Sequence, residues 1–194
     1  MRVNDDLVDE LVSRGAVPPQ RLVQLLERAH RDESGVTVDT LDAYAEALSA
    51  RRNYDFDASA FLDAVDDALV ERDGWAGEDA LYRLSDHRIS RYPPVWHDEL
   101  GGRDDVAAYV EFLTENATEF VDTVGGYGAG SGVDEMVLLD VVATVGLSTR
   151  SEAKAELERL RDEGVLVEDA DQHPHAGVYL AEDDGELRDP GLDP

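Results

Sequence analysis

Apolar residues recur at helical spacing through the first third of the chain. Leu7, Val8, Leu11 and Val12 share one face, with Asn4 placed as an N-cap and Gly15 as a stop. Pro18 and Pro19 open a second helix carrying Leu22, Val23, Leu26 and Ala29. A third is predicted from Val38 to Ala50, with Leu41, Tyr44, Ala45 and Leu48 inward. A fourth follows Asp57, carries Phe61, Leu62, Val65, Ala68 and Leu69 on one side, and is expected to end at Gly74. The period then shortens. Ala80 to Leu84 and His87 to Tyr92 flank Ser85-Asp86 and read as a β-hairpin, halted by Pro93 and Pro94.

The second half follows the same plan. Asp104 to Val124 reads as a helix, with Val106, Tyr109, Val110, Leu113, Ala117, Phe120 and Val121 on one stripe. A glycine-rich stretch from Gly125 to Gly132 follows. Met136 to Val145 is apolar nearly all round, and Asp134 and Glu135 at its start favour a helix over a buried strand. Ser148 or Thr149 caps a helix to Glu163, with Ala153, Leu157 and Leu160 inward and Gly164 as its stop. Val165 to Val167 and Val178 to Leu180 form a second hairpin. The pattern predicts a mainly α protein with small β-hairpins. Its parts are residues 1–95, residues 103–181 and an acidic tail, 182–194, with the junction between Pro93 and Gly102.

Charge changes this picture more than any other feature. The 194 residues hold 45 Asp plus Glu against 17 Lys plus Arg, a net charge of -28. Lys154 is the single lysine. Such self-repulsion opposes compaction in dilute salt, and is largely screened at molar ionic strength, where the Debye length is about 3 Å. The acidic, lysine-poor composition resembles that of proteins from extreme halophiles. With no cysteine, disulfides, thiolate zinc sites and cysteine nucleophiles are excluded. No apolar run approaches a membrane span and residues 1–15 lack a secretory signal pattern, so a cytoplasmic location is expected.

The segment Leu157 to Glu168, LERLRDEGVLVE, resembles the end of the recognition helix and the first wing strand of winged helix-turn-helix domains. A looser version occurs at Leu62, Val65, Leu69, Gly74 and the hairpin after it. Val38 to Ala50 then matches Asp134 to Gly146, and Phe61 to Gly74 matches Ala153 to Gly164, which suggests tandem winged helix-turn-helix modules. The connection Arg51 to Asp57 is longer than the short turn usual in that family.

The resemblance implies a non-enzymatic DNA-binding or transcription-related regulator. The cations placed to meet a duplex are Arg83, His87, Arg88 and Arg91 on the first hairpin and Arg150, Lys154 and Arg161 on the second recognition helix, with Thr149 at its N-terminus. Arg51, Arg52 and Arg72 belong to the same set in the first module. The alternative is that these cations form local salt bridges and the modules are protein-protein interaction scaffolds, with Tyr179 expected on an exposed wing. Neither a cofactor nor a metal site is expected. Gly126, Gly128 and Gly130 follow a helix rather than a strand, against a nucleotide loop. Asp171, His173 and His175 lack a clear fourth metal ligand. No nucleophile elbow or carboxylate pair at catalytic spacing stands out.

Overall fold

Helices begin where a short polar side chain can accept from the free amides of the first turn. Asn4 Oδ1 accepts from the N–H groups of Asp6 and Leu7 and starts α1 (Asp5–Arg14). Thr37 starts α3 (Val38–Ser49) and Asp57 starts α4 (Ala58–Ala68) by the same device. α2 (Pro19–Ala29) instead opens on proline, whose missing N–H costs nothing at that position. The computed structural model describes residues 3–117, 132–168 and 176–181. The chain divides into two units, Met1–Glu99 and Leu100–Pro194, and the division lies within the proline-marked segment Pro93 to Gly102.

In the first unit, α1, α2, α3 and α4 surround a core that includes Val8, Leu11, Leu22, Leu26, Leu41, Tyr44, Leu48 and Phe61. Strands β1 (Val36–Thr37), β2 (Leu69–Val70), β3 (Leu81–Arg83) and β4 (Arg88–Ser90) form a sheet in the order β1-β4-β3-β2. β1 and β3 run antiparallel to β4, with Val36 opposite Ile89 and Tyr82 opposite Ser90. α5 (Pro94–Leu100) follows, and its Trp96 is fully buried in a stack with Trp75 and Tyr92, ring centroids 5.6 and 5.3 Å away.

The fourth helix does not reach Gly74. It ends at Ala68, and Leu69 and Val70 pair in parallel with Leu81 and Tyr82. Asp66 and Asp67 crowd the last helical turn, where the helix dipole disfavours carboxylates, and that turn holds no basic residue. The strand offers the following amides and carbonyls a ladder instead. The hairpin is also shorter than its sequence pattern predicts, because residues Ser85–His87 form a single 3-10 turn with Asp86 and His87 at positive φ.

The second unit is built from α6 (Val106–Asn116), β5 (Val133–Asp134), α7 (Glu135–Val145), α8 (Arg150–Asp162), β6 (Leu166–Glu168) and β7 (Gly177–Leu180). Its sheet runs β5-β7-β6, all antiparallel. α6 ends at Asn116, short of the predicted Val124, because Ala117 leaves helical geometry at φ -137° and ψ 47°. Residues 118–124, the glycine-rich stretch to Gly130, the Asp171–His175 group and the acidic tail lie outside the described residues. Met136 to Val145 is helical, as the leading acidic pair favours.

α8 carries a capping box between Thr149 and Glu152 and closes on Gly164 at φ 71°. There Gly164 N–H donates to Arg161 O and Val165 N–H to Leu160 O, so the chain turns directly into β6. Among the described residues both units thus show the order helix, strand, helix, helix, strand, strand, and in each the first of these strands pairs with the last. The first unit adds α1, β2 and α5.

Tyr109 is buried in the second unit and donates its hydroxyl to Leu100 O at 2.8 Å. Gly146 leaves the space for this: a Cβ there would lie 2.6 Å from Arg103 O and 2.7 Å from the Tyr109 hydroxyl. Gly146→Ala is therefore expected to destabilise the chain by about 1–3 kcal/mol, read by chemical unfolding in molar KCl. Gly74→Ala, which meets nothing within 4 Å, serves as the neutral comparison.

Candidate nucleic-acid interface

The first hairpin was expected to offer Arg83, His87, Arg88 and Arg91 to a ligand, and the structure engages two of them, Arg88 and Arg91, internally. Arg88 donates to Ser34 O at 2.6 Å and Gly35 O at 2.7 Å, and pairs with Glu33 at 2.7 Å. Gly35 sits at φ 70° where a Cβ would meet Ile89 O at 3.0 Å, so the loop before β1 can approach β4 only as glycine. Arg91 donates to Ala80 O at 2.9 Å and lies 4.8 Å from the Trp75 ring centre, a cation over an aromatic face. Both are ties within the fold. Arg83 is half exposed, with Asp66 of α4 4.0 Å away. His87 is exposed in the hairpin turn.

α4 occupies the position that the resemblance assigns to a recognition helix. Its exposed surface bears Asp63, Asp66 and Asp67, and it contains no cation at all. A helix of that composition repels phosphate. Arg51, of the same predicted set, reaches Asp5 at 3.1 Å and Asp9 at 3.2 Å and so holds α1.

α8 differs. Arg150, Lys154, Arg159 and Arg161 stand against Glu152, Glu156, Glu158 and Asp162, a charge-balanced helix in a strongly acidic chain. Arg150 lies 3.4 Å from Asp140 and Lys154 2.8 Å from Glu135, both carboxylates on α7. Arg161 lies 2.9 Å from Glu168 of β6. Thr149 is occupied in the capping box. Arg159 bridges Glu156 at 2.5 Å and Glu163 at 2.6 Å, which raises its own pKa and, through the hydrogen bond first and charge second, lowers that of Glu156.

The α7–α8 groove, about 470 Å³, is lined by Glu135, Leu139, Arg150, Ser151, Lys154, Ala155 and Glu158. Beside it, desolvation pushes the Glu168 carboxyl above its ordinary value; Glu135 adds to this, and Arg161 and Lys154 oppose it. The structure brings Arg150 and Lys154 together on this groove but alternates them with carboxylates.

Tyr179, expected on an exposed wing, is 8% exposed; among the described residues of the second unit, Val165 and Met136, at 39% and 37%, are the exposed large apolar side chains. Among the described residues, no group of three or more His, Asp and Glu is arranged to hold a metal. No helix among them is long and apolar enough to cross a membrane.

Because Arg91 ties strand, loop and ring together, Arg91→Met is expected to lower unfolding free energy by about 2 kcal/mol. Arg52→Met, at an exposed position between α3 and α4, is expected to stay within about 0.5 kcal/mol. Chemical unfolding in molar KCl distinguishes the two.

Comparison with protein-family models, with curated proteins and with solved structures found no match to this chain.

Proposed function

We propose that the chain is a non-enzymatic, transcription-related regulator composed of two winged-helix modules, and that it works mainly by docking to protein. The observation that carries the modular reading is the repeated order of elements, with the first strand of each set paired to the last. In that reading α4 and α8 are the recognition helices, and β3–β4 and β6–β7 are the wings. The acidic composition suits work in a salt-rich cell interior, where self-repulsion is screened.

Charge favours protein over duplex as the ligand. α4 exposes only carboxylates among its charged groups, and Arg88 and Arg91 are engaged with the fold. A partner with a basic or mixed-charge surface meets this arrangement without displacing any of these ties.

One observation favours a second reading, DNA binding through the second unit. α8 is charge-balanced, and its cations retain about a third of their exposure, 31% for Arg150 and 34% for Lys154. Phosphate would have to compete for these cations with Asp140 and Glu135, whose side chains are only 16% and 13% exposed.

Fluorescence anisotropy with labelled mixed-sequence duplexes, across a KCl series into the molar range, separates the two. The docking reading expects no saturable binding at any salt. Saturable binding that Lys154→Glu abolishes would put DNA first.

A further inference from the structure

Glu27 of α2 faces inward at 2% exposure, four residues after Val23 on the apolar stripe. Its Oε2 accepts the Arg91 backbone N–H at 2.9 Å, and its carboxyl also accepts a hydrogen bond from Ser90. Ser90 is fully buried on β4; its Oγ accepts the Tyr92 N–H at 3.0 Å and meets His97 Nε2 of α5 at 2.8 Å. Among the described residues three buried side-chain atoms have no partner, and two of them belong to this network: Glu27 Oε1 and His97 Nδ1, the third being Glu168 Oε1 in the second unit.

Proton counting constrains the network. Ser90 has one hydroxyl proton. If Glu27 were ionised, that proton would go to Oε2, and His97 would have to donate from Nε2. Nδ1 would then be a bare acceptor, and Oε1 a bare acceptor carrying part of a negative charge, both away from water. A proton on the Glu27 carboxyl removes the charge. A second proton on His97 would instead bury a cation.

The nearby guanidiniums are engaged elsewhere: Arg88 with Glu33, Ser34 and Gly35, and Arg91 with Ala80 and Trp75. Of the other elements around Glu27, β1 brings no titratable group, and Asp63, Asp66 and Asp67 of α4 and Asp98 and Glu99 of α5 are exposed. Gln24, next to Glu27 on α2, binds the Tyr92 hydroxyl at 2.9 Å.

We propose that Glu27, Ser90 and His97 form a buried proton site in which both ends are neutral, and that folding moves one proton from the imidazole to the carboxyl. In the unfolded chain at mildly acidic pH the pair is a carboxylate and an imidazolium. In the fold the same single proton resides on Glu27.

Burial supports this from both ends. It pushes Glu27 up to about 7, against the opposing Arg91 N–H, Ser90 and the charges of Arg91 and Arg88, and it pulls His97 down to about 4. Taken alone, Glu27 stabilises the fold fully below its ordinary pKa, and that contribution is lost as pH rises through about 7. His97 acts with the opposite sign: its contribution is present above its ordinary pKa and lost as pH falls through about 4. Between about pH 5 and about pH 6.5 the two slopes cancel, because folding moves a proton without binding or releasing one.

The test is the unfolding equilibrium of the full chain in molar KCl across that window. Relative to wild type, Glu27→Gln should make folding more favourable with rising pH, approaching tenfold per pH unit. His97→Asn should give the opposite slope, and the double variant should restore the wild-type one. A slope unchanged from wild type in either single variant overturns the proposal. Carbon and nitrogen NMR of the wild-type chain gives the answer if a variant fails to fold. At about pH 6 a protonated Glu27 carboxyl beside a neutral His97 ring is expected, and an ionised Glu27 or a doubly protonated His97 contradicts it.

Discussion

Arg91 connects more of the first unit than any apolar contact described above. Its backbone N–H binds the buried Glu27 carboxyl, its guanidinium binds Ala80 O just before β3, and the same group lies over Trp75. Trp75 in turn stacks on Trp96 of α5. One residue therefore joins α2, through its backbone, to the segment before β3 and the aromatic stack, through its guanidinium. This is the constraint that a chain with 45 acidic and 17 basic side chains meets throughout: cations are few, and fold and ligand compete for each one. Arg88 ties β4 to the loop before β1, Arg51 ties α1 to the end of α3, and Arg161 neutralises a nearly buried Glu168. Removing Arg161 leaves the nearly buried Glu168 carboxylate without its partner, which costs more than the pair contributes when intact, whereas the exposed Asp5 and Asp9 would be taken up by water on loss of Arg51.

That competition shapes the functional reading. A surface meant for phosphate needs cations with no better internal partner, and the first unit provides few. Its α4 is acidic throughout its charged positions, while the corresponding α8 of the second unit is balanced by interleaving cations and carboxylates. The two units share an order of elements and differ in how the last helix stops. α8 closes on Gly164, and the chain continues into β6. α4 stops at Ala68 under the repulsion of Asp66 and Asp67, and its continuation joins the sheet as β2.

Local features were legible in the sequence. The cap at Ser148 or Thr149, the Gly164 stop, the N-cap Asn4, the helix start after Asp57 and the inward stripes of α1, α2 and α3 each depend on residues within a turn or two. Features that depend on distant partners were not. β2 exists because Leu69 and Val70 meet Leu81 and Tyr82 across a loop, which no periodicity reveals. Arg88 and Arg91 resemble surface cations on the hairpin, and only the fold shows Arg88 reaching back more than fifty residues to Glu33 and Gly35. Glu27 left a faint signal, an acid on the apolar face of α2, while its partners Ser90 and His97 lie on other elements.

The account turns on cations held by the fold rather than offered to a ligand. Nitrogen NMR of the arginine side chains, in molar KCl with and without duplex DNA, addresses this directly. The account predicts protected, slowly rotating guanidinium groups for Arg88 and Arg91 whose resonances stay in place when duplex is added. Rapidly exchanging signals for these two residues, shifting on addition of DNA, would contradict it.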